Sequence, residues 1–350
     1  MGPLKKILII NLGGIGDMLL STPAVRALKN TFPKSRISLL AFPRVAELAA
    51  DLPYIDGVFS LRRGIWGIFR SLNTLLRLRK ERFDAGVNMR TMVSGRSAKK
   101  IKLLMDFINP GRSAGRNTEG RGYFFDIKTF ETDIAKKPEL EYDMDMARIL
   151  GSNAADKKTD FIINDENVKR VDRILCENKV NGKEFLIGIH PGGKPAHRWP
   201  LDNFSKIIDL IFETAPGKFV ITGDKNELDL AKRLVRMTAT KTINLAGKLQ
   251  IGELGALIKK CSLFITNDTG AMHIAAALEA PMIAIFGPGD IVRYDPRNIS
   301  KNAVVLYKKI HCSPCNKIRC DSIRCLKSIS PEEVMREAMK LLFPQADKDD

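Results

Sequence analysis

The sequence predicts an α/β protein made of two similar parallel-sheet domains, and three stretches carry the prediction. Leu4 to Leu12 is an apolar strand that runs into Gly13-Gly14-Ile15-Gly16-Asp17 and then a helical pattern. Phe185 to His190 runs in the same way into Pro191-Gly192-Gly193-Lys194, and Leu263 to Thr266 into Asn267-Asp268-Thr269-Gly270. A strand–turn–helix unit sets its turn at the carboxyl edge of a parallel sheet, where ligands of α/β proteins bind. The two halves open on the same plan of strand, Gly-Gly turn and helix, which is the ground for two similar domains facing each other. The length of 350 residues suits two cores of about 150 residues each, and the 44% hydrophobic content is enough to fill them.

In the first turn the glycines permit close backbone approach and positive φ. The helix behind it is predicted over Met18 to Thr31, with Pro23 in its first turns. This is no dinucleotide fingerprint. Leu19 stands where a third glycine belongs, and the next strand, Ile37 to Phe42, ends in Pro43-Arg44 with no acid for a ribose. Gly14 and Gly16 therefore frame an exposed carboxylate, Asp17. As an acid in a first helical turn it stabilises the dipole; as chemistry it is a candidate general base.

The rest of this domain alternates strand and helix to about Leu150. Its charge is uneven: residues 61–122 hold 15 Lys/Arg against 4 Asp/Glu, a net +11 within a chain of +17. Ile65, Trp66, Phe69, Leu72, Leu75 and Leu76 recur there at helical spacing beside Arg70, Arg77, Arg79, Lys80 and Arg82. Such a stripe is read first as core, with an anionic membrane surface as the alternative. Arg62, Arg63, Arg96 and Lys99 are the cations assigned to a bulky anionic acceptor. Nucleic acid would suit the charge, but no recognised binding module appears. The Lys-, Asp- and Asn-rich stretch Gly151 to Asn164 marks the boundary, with Phe161-Ile162-Ile163 read as a connecting strand. The domains are set at 1–164 and 165–329.

The second domain begins with a helical pattern, Val168 to Cys176. After the strand at Phe185, the loop through Lys194, His197, Arg198 and Trp199-Pro200 puts three cationic or potentially cationic side chains on a glycine turn, a composition that suits a diphosphate. An amphipathic helix follows from Leu201 to Phe212. At the third turn, Asp268 would repel phosphate, so Thr269, Gly270 and the helix N–H groups are expected to face it, with Asp268 capping the helix or taking a hydroxyl. A strand is predicted over Met282 to Phe286. Cys176 and Cys261 read as core thiols. Cys312, Cys315, Cys320 and Cys325 lack the paired CxxC spacing; free thiols are expected, with a structural metal as the alternative. Ser330-Pro331-Glu332-Glu333 is a capping box that opens a last helix to Phe343. The acidic tail, 344–350, is read as disordered.

The ordered set GGIGDMLLSTPAVRALKNTFP, HPGG…RWP, GDKNELDLAKRL, TNDTGAMHIAAAL and FGP resembles the heptosyltransferases of glycosyltransferase family 9, across nearly the whole chain. The resemblance implies the GT-B fold, two Rossmann-like domains across a cleft, with the C-terminal helix crossing back to the first domain. It implies inverting, metal-independent transfer of heptose from ADP-heptose to the inner core of lipopolysaccharide, with no cofactor required. It assigns Asp17 as base and Asp268, Thr269, Gly270 and His273 to the nucleotide-sugar donor, beside Gly192 and Gly193, with Glu227 near the donor ribose. One departure stands out. Relatives often carry Lys two residues before Trp-Pro, where this chain has His197, which leaves open which of Lys194, His197 and Arg198 meets the diphosphate.

No spanning segment or signal peptide is visible, the N-terminal apolar run being far short of the roughly 20 residues a bilayer needs. A cytoplasmic enzyme is expected, with peripheral contact to the inner membrane through its lipopolysaccharide precursor. The alternatives are another nucleotide-sugar donor, or a sugar-nucleotide binding protein without turnover.

Overall fold

The computed structural model describes residues 4–62, 64, 66–67, 71–132 and 136–344. Arg63, Ile65, Phe69, Arg70 and the tail from 345 lie outside the described residues. The chain divides into two units, Met1–Ile162 and Ile163–Asp350.

The first unit holds one parallel sheet of β1 (Lys6–Asn11), β2 (Arg36–Ala41), β3 (Gly57–Ser60), β4 (Ala85–Asn88), β5 (Arg112–Thr118) and β6 (Ile127–Glu131), in the order β3-β2-β1-β4-β5-β6. Its helices are α1 (Ile15–Thr31), α2 (Pro43–Ala50), α3 (Leu72–Glu81), α4 (Gly95–Ile108) and α5 (Glu139–Ile149). β1 is central, and Ile7 through Ile10 are fully buried because helices cover both faces, which is why the strand reads as an unbroken apolar run rather than an alternation. Chain direction across the sheet reverses between β1 and β4, so the turn after β1 opens at the switch point.

The second unit comprises α6 (Asp165–Glu177), β7 (Phe185–His190), α7 (Leu201–Thr214), β8 (Gly217–Ile221), α8 (Leu228–Met237), β9 (Thr242–Asn244), α9 (Ile251–Lys260), β10 (Leu263–Asn267), α10 (Gly270–Ala277), β11 (Met282–Phe286), α11 (Ile291–Tyr294), β12 (Ala303–Tyr307), α12 (Arg324–Lys327) and α13 (Pro331–Leu342). Its sheet runs β12-β11-β10-β7-β8-β9, also wholly parallel. Numbered from its own first strand, this is the order of the first sheet. The switch point falls between β7 and β10, and the loops after these two strands carry the glycine and Asp-Thr-Gly motifs.

Three expectations need correction. Cys176, read as a core thiol, is exposed on α6. Phe161-Ile162-Ile163 forms no strand. The preceding chain is pinned by side chains instead of a ladder: Asp160 accepts from Tyr54 Oη at 2.8 Å and pairs with Arg26, while its N–H donates to Thr22 Oγ1 at 2.9 Å. The apolar stripe before residue 77 is not all core. Leu78 is buried and Leu75 packs against the core, but Leu72, Leu76 and Trp66 are exposed, Trp66 to 81%. The C-terminal helix α13 turns its apolar stripe inward on its own unit, burying Val334, Ala338 and Leu342 with the core residues Phe204 and Ile208 of α7.

Candidate active site

Asp17 is the third residue of α1 and reaches back to the start of the helix. Its Oδ2 accepts the Gly14 N–H at 2.6 Å, and its Oδ1 pairs with the Arg90 guanidinium. A Cβ on Gly13 would lie 2.5 Å from Asp17 Oδ2, so only glycine lets the turn close over this carboxylate. The carboxylate therefore serves as a helix cap, as a dipole argument expects, yet its side chain keeps 16% of its surface open to solvent. Gly14 is the N-cap and Gly16 is buried. Arg90 was not foreseen. It follows β4, the neighbour of β1 across the switch point, and only the sheet order brings it to Asp17. Of the cations assigned to the acceptor, Arg62 is exposed after β3, and Arg96 and Lys99 are exposed one turn apart on α4; Arg63 lies outside the described residues.

The second unit gathers its motifs more tightly. Asn267, fully buried, donates from Nδ2 to the carbonyls of Pro191 (3.0 Å) and Gly192 (2.9 Å), and its Oδ1 accepts the Trp199 N–H at 3.0 Å. One amide thus locks the β7 loop to the β10 turn. Glu227 closes the same loop from the other side, accepting from the N–H groups of Gly193 (2.6 Å) and Asp224 (2.8 Å). A Cβ on Gly192 would strike its carboxylate at 2.4 Å. Gly193 has φ +116°, and a Cβ there would meet Thr269 Cγ2 at 2.7 Å; the position is closed to other residues on both counts.

The three cations of this loop are not equivalent. The Lys194 side chain is exposed, and among the described residues no hydrogen bond or ion pair engages its ammonium group. Arg198 is turned onto the loop, with Nε donating to Gly193 O at 2.7 Å and Nη2 lying 3.9 Å from Glu227. His197 is buried, its Nδ1 3.0 Å from Asp268 Oδ2. Asp268 therefore faces a histidine and does not cap α10. Thr269 is the N-cap residue but makes no side-chain cap bond; its Oγ1 lies 3.3 Å from Thr266 Oγ1. The first N–H groups of α10, which a helix cannot pair within itself, are left without a side-chain cap. His273 is buried against Tyr294, its ring centroid 6.1 Å away, and burial pushes its imidazole down to about 4 although Asp268 pulls the other way. It is neutral at ordinary pH.

The cysteine-rich loop braces this site. Cys315 and Asn316 donate their N–H groups to Pro288 O, at 3.1 and 2.8 Å, and Ala196 N–H donates to Ile318 O at 3.0 Å. Pro288 adjoins Gly289, where a Cβ would lie 2.1 Å from Asp268 Oδ2. Cys312 is exposed, Cys315 and Cys320 are half-buried, Cys325 is buried, and all are free thiols. Among the described residues, no group of three or more His, Cys, Asp or Glu side chains is placed to hold a metal ion.

Comparison with known proteins agrees with this architecture. The sequence model for glycosyltransferase family 9 (heptosyltransferase) matches residues 72–324. The chain is 28% identical over 349 residues to lipopolysaccharide heptosyltransferase 3 of Escherichia coli strain K12, covering 95% of this chain and 98% of the relative. It is 26% identical over 337 residues to lipooligosaccharide heptosyltransferase 2 of Campylobacter jejuni, with 94% and 97% covered. Among solved structures it is similar to a family 9 glycosyl transferase from Veillonella parvula, with TM-score 0.80, 24% identity and 97% of each chain covered. The Escherichia coli ADP-heptose LPS heptosyltransferase II superposes with TM-score 0.76 at 22% identity, over 96% of this chain and 98% of that one. A family match over most of the residues, with relatives aligned nearly end to end, settles the classification: this chain is a GT-B glycosyltransferase and belongs to glycosyltransferase family 9, the heptosyltransferases.

Proposed function

We propose that this enzyme transfers heptose from ADP-heptose to an inner-core sugar of a lipopolysaccharide precursor, with inversion, without a metal, and with Asp17 as general base. The observation that carries the reading is the placement of the Asp17 carboxylate. It stands at the switch point of the first sheet, fixed by Gly14 N–H and Arg90 yet partly open to solvent. Relatives over 94–95% of the chain bear the names of lipopolysaccharide and lipooligosaccharide heptosyltransferases, which supports the donor and acceptor classes.

In this reading an acceptor hydroxyl attacks the anomeric carbon of the donor. The bond from that carbon to the diphosphate oxygen breaks, the nucleoside diphosphate leaves with the electron pair, and the hydroxyl proton passes to Asp17. The uncapped N–H groups of α10, with Thr269 and Gly270, receive the diphosphate, and Lys194 and Arg198 offset its growing charge. His197 holds Asp268, His273 lines the donor side as a neutral ring, and Glu227 sets the loop near the ribose. Arg62, Arg63, Arg96 and Lys99 attract the anionic acceptor at the inner face of the membrane; among the described residues no helix is long and apolar enough to cross it.

The test is Asp17→Asn, which keeps shape and removes basicity. ADP release should slow by about 10²–10⁴-fold in kcat, while calorimetry finds the donor Kd unchanged. Near-normal turnover in this variant would remove Asp17 from the mechanism.

A further inference from the structure

Arg116 is a fully buried cation at the centre of an ionic group in the first unit. From Nη1 it donates to Thr91 Oγ1 and to Glu139 Oε1, both at 2.8 Å, and from Nη2 to Asp143. Glu131 joins them, accepting from Thr118 Oγ1 at 2.5 Å and from Thr91 Oγ1 at 3.2 Å. Three buried carboxylates thus share one neighbourhood with Arg116. Burial pushes Asp143 up to about 6 against the pull of Arg116. Apolar residues of similar volume in place of such a group are often neutral or stabilising, so stability is a weak reason for its presence.

Two lines run from this group to Asp17. Asp143 Oδ2 lies 2.6 Å from Ser21 Oγ, and Ser21 Oγ lies 2.8 Å from the backbone oxygen of Asp17. Asn11, at the end of β1, donates from Nδ2 to Ser21 Oγ at 2.9 Å and reaches Asp17 O at 3.3 Å, while its Oδ1 accepts the Gly13 N–H at 3.2 Å. The second line passes through Thr91, which is bonded to Arg116 and is the chain neighbour of Arg90, the residue paired with the Asp17 carboxylate. The path Asp17–Arg90–Thr91–Arg116–Asp143–Ser21 returns to Asp17 and so closes a ring. It holds the backbone of the candidate base from one side and its carboxylate from the other.

We infer that Arg116, Asp143, Ser21 and Thr91 are positioning residues that set the Asp17–Arg90 pair for proton transfer. The inference rests on the reading of Asp17 as base. None of the four touches substrate; they act through the turn and through the loop that bears Arg90.

The experiment compares Ser21→Ala, Thr91→Val and Thr91→Ser, each alone and in the Asp17→Asn background, on the full chain with ADP-heptose and a core acceptor. Small displacements of a catalytic group cost up to about 10²-fold. Ser21→Ala and Thr91→Val should therefore lower kcat by roughly ten- to a hundred-fold, with donor Kd unchanged and thermal midpoints well above the assay temperature. Thr91→Ser, which restores the hydroxyl, should recover most of the rate. In the Asp17→Asn background neither change should slow the residual rate further, since the group they position is gone. A merely structural role would lower the midpoint and leave kcat alone. Wild-type kcat in Ser21→Ala and Thr91→Val beside an impaired Asp17→Asn would overturn the positioning role and spare the base. Equal losses in both backgrounds would overturn it as well, and near-normal turnover in Asp17→Asn alone would overturn the base reading. Should Thr91→Val fail to fold, Ser21→Ala and Arg116→Lys, which keeps the charge and loses the fork, decide the same question.

Discussion

His273 shows how a single buried ring makes the second unit sensitive to pH. Its imidazole is held at about 4 in the folded chain, against an ordinary value near 6.5. Below pH 6.5 the unfolded chain therefore takes up a proton that the folded chain refuses. Stability is untouched above that value, falls as the pH drops from 6.5 towards 4, and levels off below. The full loss from this one group is on the order of 3 kcal/mol. His273→Gln, which cannot titrate, should flatten that part of the midpoint-against-pH curve; an unchanged slope between pH 6.5 and 4 would acquit the residue. At this scale the sequence was legible where a residue type was odd for its place, as with a carboxylate beside the Gly13–Gly14 turn, or the acid Asp268 just before Thr269-Gly270 at a helix start. Arg90 was not legible. It is 73 residues from Asp17, and nothing local in Asn88-Met89-Arg90 names its partner. Arg116 and Asp143 were hidden for the same reason, since each looks like a surface charge until β5 and α5 are folded against α1.

Elements were easiest to read where one rule acted alone. β1, β7, β10 and β11 are buried along nearly their whole length and stand out as apolar runs, whereas β5 (RSAGRNT) and β6 (IKTFE) do not. The α13 capping box follows from four letters, Ser330 Oγ accepting the Glu333 N–H at 3.2 Å and Glu333 Oε2 the Ser330 N–H at 3.0 Å. Phe161-Ile162-Ile163 misled because three apolar residues look like a strand whether or not a neighbouring strand is there to pair with. The cysteine loop offered only spacing, whereas its role as a brace depends on backbone bonds to Pro288 and Ala196 that no pattern encodes. The thiols of the second unit should nevertheless differ sharply. Hydrogen bonding from Ser322 and nearby backbone N–H groups lowers Cys320, whereas burial pushes Cys261 up to about 12 and also raises Cys325. Because the thiolate is the reactive form, iodoacetamide at pH 7 followed by peptide mass mapping should modify Cys320 well before Cys325, and Cys261 last. Labelling of Cys261 at a rate like that of Cys320 in the folded protein would contradict the burial described here.

For the whole molecule, the uneven charge is the property most plainly written in the composition. A net +11 over residues 61–122 sits on the unit that carries Asp17, while the glycine and Asp-Thr-Gly loops belong to the other unit. Exposed cations are screened over a Debye length near 8 Å at physiological ionic strength. Raising salt should therefore increase the acceptor KM and change the donor Kd less, and charge reversal at Arg62, Arg63, Arg96 and Lys99 together should reproduce the high-salt kinetics at low salt. Acceptor kinetics that ignore both treatments would leave the patch without a part in substrate capture.

Each sheet draws all its strands from one uninterrupted stretch of chain, and in each the first strand made is the central one. β1 pairs with β2, some 30 residues later, and with β4, which begins at Ala85; β7 likewise awaits β10, beginning at Leu263. On a ribosome the first sheet has every strand it needs before Phe185 is synthesised, whereas the second stays open at its middle until its two halves have both emerged. Folding during synthesis then has a fixed order. The half that bears the candidate base can be finished before β7 has any partner, and the interval before β10 arrives, when β8 can pair with β7 on one edge only, is when β7 is most in need of protection from aggregation.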